Sequence, residues 1–214
     1  MLTIFGRPDS YNVQKVLWFA EELELDFKHV NIGGPAGGLN TAEFLALNPN
    51  GLIPVIQDGD FAVWESNTII RYLAAKYGQD EFWIESPAER SLVERWMDWE
   101  LTKLQPGFLG LFWHYYRTPE NQRNNKRINH LLENCKSNIE ILDSYLKNKK
   151  FILGTKFSIG DISIGTCFYR YFNMGIQVNR PVNLDEWYKR LCERPCYKNI
   201  VMVAFDNLKG RYRN

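Results

Sequence analysis

The stretch "GRPDSYNVQKVLWFAEELEL" (residues 6–25) sets Ser10, Tyr11 and Asn12 at the mouth of an amphipathic helix, directly after the apolar run Leu2–Phe5. A serine or asparagine at such a place can cap the helix by accepting from its first N–H groups. The place also suits chemistry. Free N–H groups and a partial positive charge favour an anion there. A hydroxyl or amide donating to a sulfur would favour thiolate over thiol. These residues alone leave both roles open.

Two further stretches raise similar questions. "WESNTI" puts Glu65 and Ser66 at the start of another helix. Ser66 with the helix N-terminus suits a carboxylate, and Glu65 suits a ligand ammonium; plain capping is the alternative. In "NGLIPVIQDG", Pro54 opens a strand in which it cannot donate to a central ladder. Either the Ile53–Pro54 bond is cis, leaving the Ile53 backbone to pair with a peptide-like ligand, or Pro54 is trans on an edge strand. "QPGFLGLFWHYY" supplies Phe108, Phe112, Trp113 and Tyr116, either a wall for a flat apolar molecule or interior packing.

Other patterns fall away. "GGPAGG" (33–38) lacks the Gly-Lys-Ser/Thr of a phosphate loop. Cys192 and Cys196 have no second ligand pair, so no zinc site is expected. His114 reads as a surface or hydrogen-bonded histidine, and no paired-carboxylate or Ser/His/Asp spacing emerges. The first 134 residues contain no cysteine, which removes the thiol needed for a mixed disulfide near the first helix.

The elements that must position these groups follow from periodicity. Leu2–Phe5 reads as a strand and Val13, Val16, Leu17, Ala20 and Leu23 as a helix face. "FKHVNI" (27–32) reads as a strand and "AEFLAL" as a short helix. "IPVIQDGDFAVW" reads as a hairpin turning at Asp58-Gly59, and "ESNTIIRYLAAKYG" as a helix ended by Gly78. That order favours a small α/β domain with a mixed sheet. From Ser86-Pro87, an N-cap with proline at the first helical position, the pattern turns helical. Val93, Met97, Leu101, Leu104, Phe108 and Leu111 form one stripe, and Ile128, Leu131, Leu132, Cys135, Ile139, Leu142 and Leu146 another. Further helices are expected near Ile159–Phe172, Leu184–Cys192 and Tyr197–Phe205.

The 214 residues suffice for one large or two small domains, and 45% hydrophobic with 24% charged residues is an ordinary folded composition. Lysine and arginine total 26 against 25 acids, a net charge of +1, which argues against nucleic acid or anionic membrane as partner. No apolar run would span a bilayer and no signal segment opens the chain, so a cytoplasmic protein with reduced thiols is expected.

"SYNVQKV", "LALNPNGLIPVIQDGD" and "ESNTIIRYLAAKYG", in this order and followed by helices, resemble the cytosolic glutathione transferases over essentially the whole chain. The subtype resembled is the bacterial serine type, theta- or phi-like. "FSIGDISIG" (157–165) adds a similar buried capping box, Ser158 with Asp161. The resemblance implies an α/β thioredoxin-like domain over 1–78, a linker over 79–86 and an all-α domain over 87–214. It further implies glutathione as cosubstrate, no metal, a homodimer and a role in detoxification.

Carried over residue by residue, Ser10 matches the family's "S-x-N-V" hydroxyl, ahead of Asn12 and then Tyr11 as the group holding the sulfur. Ile53 and Pro54, Glu65, Ser66 and Asn40 would hold the rest of glutathione. A hydrophobic electrophile would lie against Phe108, Phe112, Trp113 and Tyr116. Leu39, Asn40 and Leu52 depart from the His-Lys and Gln that related members place there to hold the glycyl carboxylate, which predicts weak to moderate affinity. Dimer contacts are expected around Phe61–Arg71 and Ala88–Trp99. Rival readings are a glutathione-dependent peroxidase, isomerase or dehalogenase, and a non-enzymatic interaction module on the same fold.

Overall fold

Leu2 and Ile4 turn into the core from β1 (Leu2–Phe5), while Thr3 and Phe5 stay half-buried, the alternation of a strand covered mainly on one face. A computed structural model describes residues 1–79 and 81–211; Asp80 of the expected linker and residues 212–214 of the expected helical domain lie outside the described residues. The chain leaves β1 through α1 (Tyr11–Glu22) and returns as β2 (Phe27–Val30), parallel to β1 with Leu2 opposite Phe27. After α2 (Ala42–Leu47), β3 (Val55–Asp58) pairs antiparallel with β1, and β4 (Phe61–Trp64) with β3. The sheet is mixed, in the order β2-β1-β3-β4.

One detail differs from the sequence reading. Asp58 pairs with Phe61, so the hairpin turns on Gly59-Asp60, one residue later than expected, with Gly59 at φ +64°. Gly78 ends α3 (Ser66–Tyr77) as expected, at φ −102°. Glycine is required there for space. A Cβ would lie 3.0 Å from both the Ala74 carbonyl oxygen and the Phe82 Cβ.

Ser86 accepts from the Glu89 N–H (3.4 Å) and Pro87 opens α4 (Pro87–Trp99). The helix then runs on through a wide-turn segment (Glu100–Leu104), α5 (Gln105–Leu111) and a second wide-turn segment (Phe112–Arg117). Pro106 explains the first. It has no N–H to donate and would crowd the carbonyl four residues back in a regular helix. Next come α6 (Asn125–Leu146), α7 (Ile159–Asn173), α8 (Val182–Glu193) and α9 (Pro195–Ile200). The helix expected over Tyr197–Phe205 is therefore shorter and earlier. The Val201 and Met202 N–H groups both turn back to the Tyr197 carbonyl, and Phe205 leaves to pack against Phe112 and Tyr116.

One apolar core runs from Ile4 and Ile56 of the sheet through α1 to Ile162 and Leu191 of the helices. Helix α1 lies at its centre, with Trp18 stacked edge-on against Tyr197 at 4.7 Å. Gly165 of α7 lets α8 approach, since a Cβ there would meet Leu191 at 2.5 Å.

Two buried carboxylates organise this core. Asp161 accepts from the Ser158 N–H and hydroxyl (both 2.9 Å), the Ile152 N–H (2.9 Å) and Trp187 Nε1–H (2.8 Å). Burial pushes its pKa up to about 6 against the opposing pull of those donors. Glu100 accepts from Lys15 Nζ at 2.8 Å, with both side chains fully buried, and from the Tyr11 hydroxyl. Ser163 Oγ lies 3.2 Å from Glu100 and 3.0 Å from Asn67 Oδ1, while Asn67 donates to the Met97 carbonyl (3.0 Å). Helices α1, α3, α4 and α7 thus meet at one polar knot.

Asp161→Ala strands four buried donors, so urea unfolding should show a loss of at least about 3 kcal/mol; a loss under about 1 kcal/mol would remove Asp161 from this role. Lys15→Met leaves a buried carboxylate unpaired and should cost about 3–5 kcal/mol. Adding Glu100→Gln should recover at least about half of that, because the amide oxygen still accepts from Tyr11 while its nitrogen can donate to Ser163 Oγ, which itself donates to Asn67. Additive losses in the double variant would show that the two charges are not coupled.

Candidate active site

Ser10 occupies the N-cap position of α1, its carbonyl accepting from the Gln14 N–H at 2.9 Å. Its side chain makes no capping bond, and Ser10 lines a cleft between the sheet and the helices. Tyr11, the third candidate, is committed elsewhere. Its hydroxyl donates to Glu100 inside the core, and burial, followed by the Glu100 charge, holds its pKa well above the usual phenol value. Asn12 is half-buried, and its Oδ1 accepts from Gln105 Nε2 (3.1 Å) and from Ser66 Oγ (3.4 Å). That bond joins the two helix N-termini singled out in the sequence.

Glu65 is the N-cap residue of α3, with φ +73°, an exposed side chain and no capping bond from it. Ser66 is buried beside it. The Ile53–Pro54 peptide is cis. Ile53 precedes the first pairing of β3, Val55 with Phe5 and Trp64, so its peptide groups stand outside the ladder.

The cleft has a free volume of about 470 Å³ and is lined on the sheet side by Arg7, Asp9, Ser10, Leu39, Leu52 and Ile53, and on the helical side by Trp113 and Arg117. A smaller recess of about 100 Å³ adjoins it, where Ser10 and Asn12 face Phe108, Phe112, Trp113, Arg117 and Arg170. Ser10 lines both. Asn40 is exposed and outside either lining, and Leu39 and Leu52 put apolar surface on the cleft. Phe108 and Phe112 contribute little exposed surface to the recess, being 1% and 4% exposed. Tyr116 lies behind them, stacked on Phe112 at 5.3 Å with its hydroxyl 3.5 Å from Asp206, and it lines neither space.

Several residues of the site were not singled out in the sequence. Gln105 fixes Asn12. Arg7 is paired with Asp9 at 2.7 Å. Arg117 lies over the Trp113 ring (4.0 Å) and donates through Nε to the Arg211 carbonyl (2.7 Å). Arg170 donates to the Asp9 carbonyl (2.8 Å) and Gln14 Oε1 (3.1 Å). Burial, then Arg7, lowers the Arg117 pKa, and burial brings Arg170 down to about 10. A signal existed for one of these, Arg170, and for the buried Glu100 that holds Tyr11. Glu100 falls on the Met97–Leu104–Phe108 stripe, and Arg170 is the one cation of "IGDISIGTCFYRYFN". A charge at a core-facing position needs a partner.

The thiols stand apart from the cleft. Cys135 and Cys167 are buried, and burial pushes Cys135 up to about 12 and Cys167 well above the ordinary thiol value. Among the described residues, no three of His, Cys, Asp and Glu gather as metal ligands would, and no helix is long and apolar enough to cross a membrane.

Residues 9–76 match the family model described as glutathione S-transferase, N-terminal domain, and residues 104–195 match glutathione S-transferase, C-terminal domain. The chain is 42% identical over 205 residues to glutathione S-transferase GstB of Escherichia coli K12, covering 95% of this chain and 99% of that protein. Among solved structures, the theta class glutathione S-transferase of the citrus canker pathogen Xanthomonas axonopodis pv. citri, determined with glutathione bound, superposes with a TM-score of 0.90. It is 41% identical, over 95% of this chain and 98% of that one. Bombyx mori glutathione transferase BmGSTD1 shares the fold with a TM-score of 0.86 at 22% identity, over 99% and 97% of the two chains. With its thioredoxin-like sheet part, its all-helical part and a relative matched over nearly its whole length, the chain belongs to the glutathione S-transferase family.

Proposed function

We propose that this glutathione transferase activates its cosubstrate with Ser10 and directs the resulting thiolate at a small electrophile in the recess. The carrying observation is that Ser10 stands at a helix N-terminus, spends no side-chain bond on capping and lines both spaces of the cleft. Donating to the glutathione sulfur, it favours the anion together with the helix's positive end, each unit of lowered thiol pKa being worth about 1.4 kcal/mol. The thiol proton leaves to solvent and the sulfur attacks; Ser10 forms no covalent bond. Asn12 is the second donor to the sulfur, its amide nitrogen being left over once its oxygen is engaged by Gln105 and Ser66.

The rest of glutathione runs along the sheet side, its peptide paired with the Ile53 backbone before the cis Pro54. Its γ-glutamyl end lies at the α3 N-terminus with Glu65 and Ser66, and Asn40 offers one donor to the glycyl end. In this reading residues 1–78 form the glutathione domain, 79–86 the linker and 87–214 the electrophile side, with Phe108, Phe112 and Trp113 as its wall and Tyr116 as their backing. A homodimer accords with exposed Phe61 and Trp64 on β4 and Leu92 on α4. Four free thiols accord with a reducing cytoplasm and a detoxification role there.

Ultraviolet titration of bound glutathione tests the activator. The wild-type thiol should titrate well below its free value, and Ser10→Ala should return it by at least about one unit, or 1.4 kcal/mol. An unshifted thiol in the wild type would make Ser10 a helix-end residue and favour the interaction module. Because Leu39 and Leu52 bring no charge to the glycyl end, calorimetry should give a dissociation constant above about 10 μM, roughly −7 kcal/mol. Binding tighter than about 1 μM would mean that other groups hold that carboxylate.

A further inference from the structure

The recess beside Ser10 is not simply apolar. Three arginines line it, Arg7, Arg117 and Arg170, against the single carboxylate of Asp9. Asp9 is already paired with Arg7. Arg117 and Arg170 are each only 4% exposed, yet neither forms a direct ion pair with a carboxylate among the described residues; the Asp9 charge reaches both from further off while its carboxylate is held by Arg7. Among the described residues Arg117 donates through Nε and Arg170 through Nη2, both to neutral acceptors. Both arginines line the recess, and Arg170 also lies over the Phe112 and Phe205 rings at 5.5 and 5.7 Å. Burying an unpaired charge costs several kcal/mol, which an anion entering the recess would offset. A guanidinium is shaped for that task, presenting parallel donors to two oxygens of a carboxylate.

We propose that the second substrate is an anionic electrophile, a small aromatic or unsaturated carboxylate (or sulfonate), whose charge is held by Arg117 and Arg170 while its body lies on Phe108, Phe112 and Trp113. This rests on the reading of Ser10 as thiolate holder and names the substrate class for that same cleft. The two spaces divide the labour. Leu39, Leu52 and Ile53 line only the larger cleft, where glutathione lies in that reading, and Arg170 lines only the recess. The Arg170 cation is therefore placed for the electrophile and not for glutathione's own carboxylates.

The test compares 4-chloro-3-nitrobenzoate with its methyl ester. In both, the glutathione sulfur forms a C–S bond at the chlorine-bearing ring carbon. The C–Cl bond then breaks and chloride leaves with the bonding pair, the thiol proton having gone to solvent. Each kcat/KM is divided by the probe's uncatalysed rate with glutathione, so that intrinsic reactivity cancels. The wild type should favour the acid by about tenfold or more, the scale of one charge-assisted contact. That ratio should fall toward one in Arg117→Gln and Arg170→Gln, with partial return in Arg117→Lys. Circular dichroism identifies a misfolded Arg170→Gln, in which case Arg117→Gln carries the test.

A wild-type ratio of one or less would overturn the proposal, as would a ratio unchanged in folded variants. So would an unchanged ratio with a raised KM for glutathione in Arg117→Gln, which would assign that arginine to the tripeptide. Glutathione binding with a lowered thiol pKa but turnover of neither probe would refute the substrate class and leave Ser10's role standing. Absence of glutathione binding would refute both.

Discussion

The Lys15–Glu100 ion pair is the contact on which the site's geometry depends. Two opposite charges at 2.8 Å, both fully buried, are costly to remove from water and are held only while their remaining valences are satisfied. Tyr11 and Ser163 supply donors to the same carboxylate, and Asn67 continues the chain of bonds to the α4 backbone. Any rotation of α1 about its axis would break Lys15 and Tyr11 from Glu100 together. Ser10 and Asn12 lie within the same first turns of α1, so the pair that joins the sheet to the helices also fixes where the serine hydroxyl faces.

Glu100 stands in the first of two wide-turn segments of the long helix, and Trp113 and Arg117 stand in the second. Such segments shift the phase of every side chain beyond them, and they recur at functional sites. A regular helix through Pro106 would have set the later residues in another phase against α1. The departure from regular geometry thus does two things. It lets a carboxylate into the core at one end, and it turns an indole and a guanidinium into the cleft at the other. The cost falls on the helix, and the aromatic stack of Phe112, Tyr116 and Phe205 behind it stabilises the shape that results.

Local rules made most of the elements legible. The apolar run Leu2–Phe5 located β1, the apolar stripes located α4 to α6, and Ser86-Pro87 and Ser158 with Asp161 marked two helix starts that the structure contains. Legibility failed where distant partners decide. Nothing near Asn12 announces that its oxygen serves Ser66 and Gln105, 54 and 93 residues away. Tyr11 looked available until Glu100, 89 residues on, claimed its hydroxyl. Gly78 ends α3 as its place in the sequence suggests, but the reason for glycine there, space against Phe82, is a tertiary one. Tyr197–Phe205 carries a helical pattern, but Phe205 is drawn off to Phe112 and Tyr116. The arginines of the cleft were invisible to a net charge of +1, since balance over the chain says nothing about balance in a recess.

That local imbalance bears on the thiolate itself. In the proposed reaction the sulfur enters the cleft as an anion, and the hydroxyl of Ser10 offers it only a neutral donor. Arg117 lines both spaces that meet at Ser10 and lacks a carboxylate partner among the described residues. Its charge acts across a partly water-excluded site, where screening is weaker than at the surface. A second anion in the recess would on its own oppose the first. Cations set beside both let a charged sulfur and a charged electrophile approach without mutual repulsion deciding the outcome. An apolar electrophile has no need of that arrangement and would leave two buried guanidinium groups with neutral acceptors, aromatic rings and the shared charge of Asp9 as their only compensation among the described residues. In the proposed reaction the serine holds the sulfur, and Arg117 and Arg170, with no direct carboxylate partner among the described residues, meet the charge of its target.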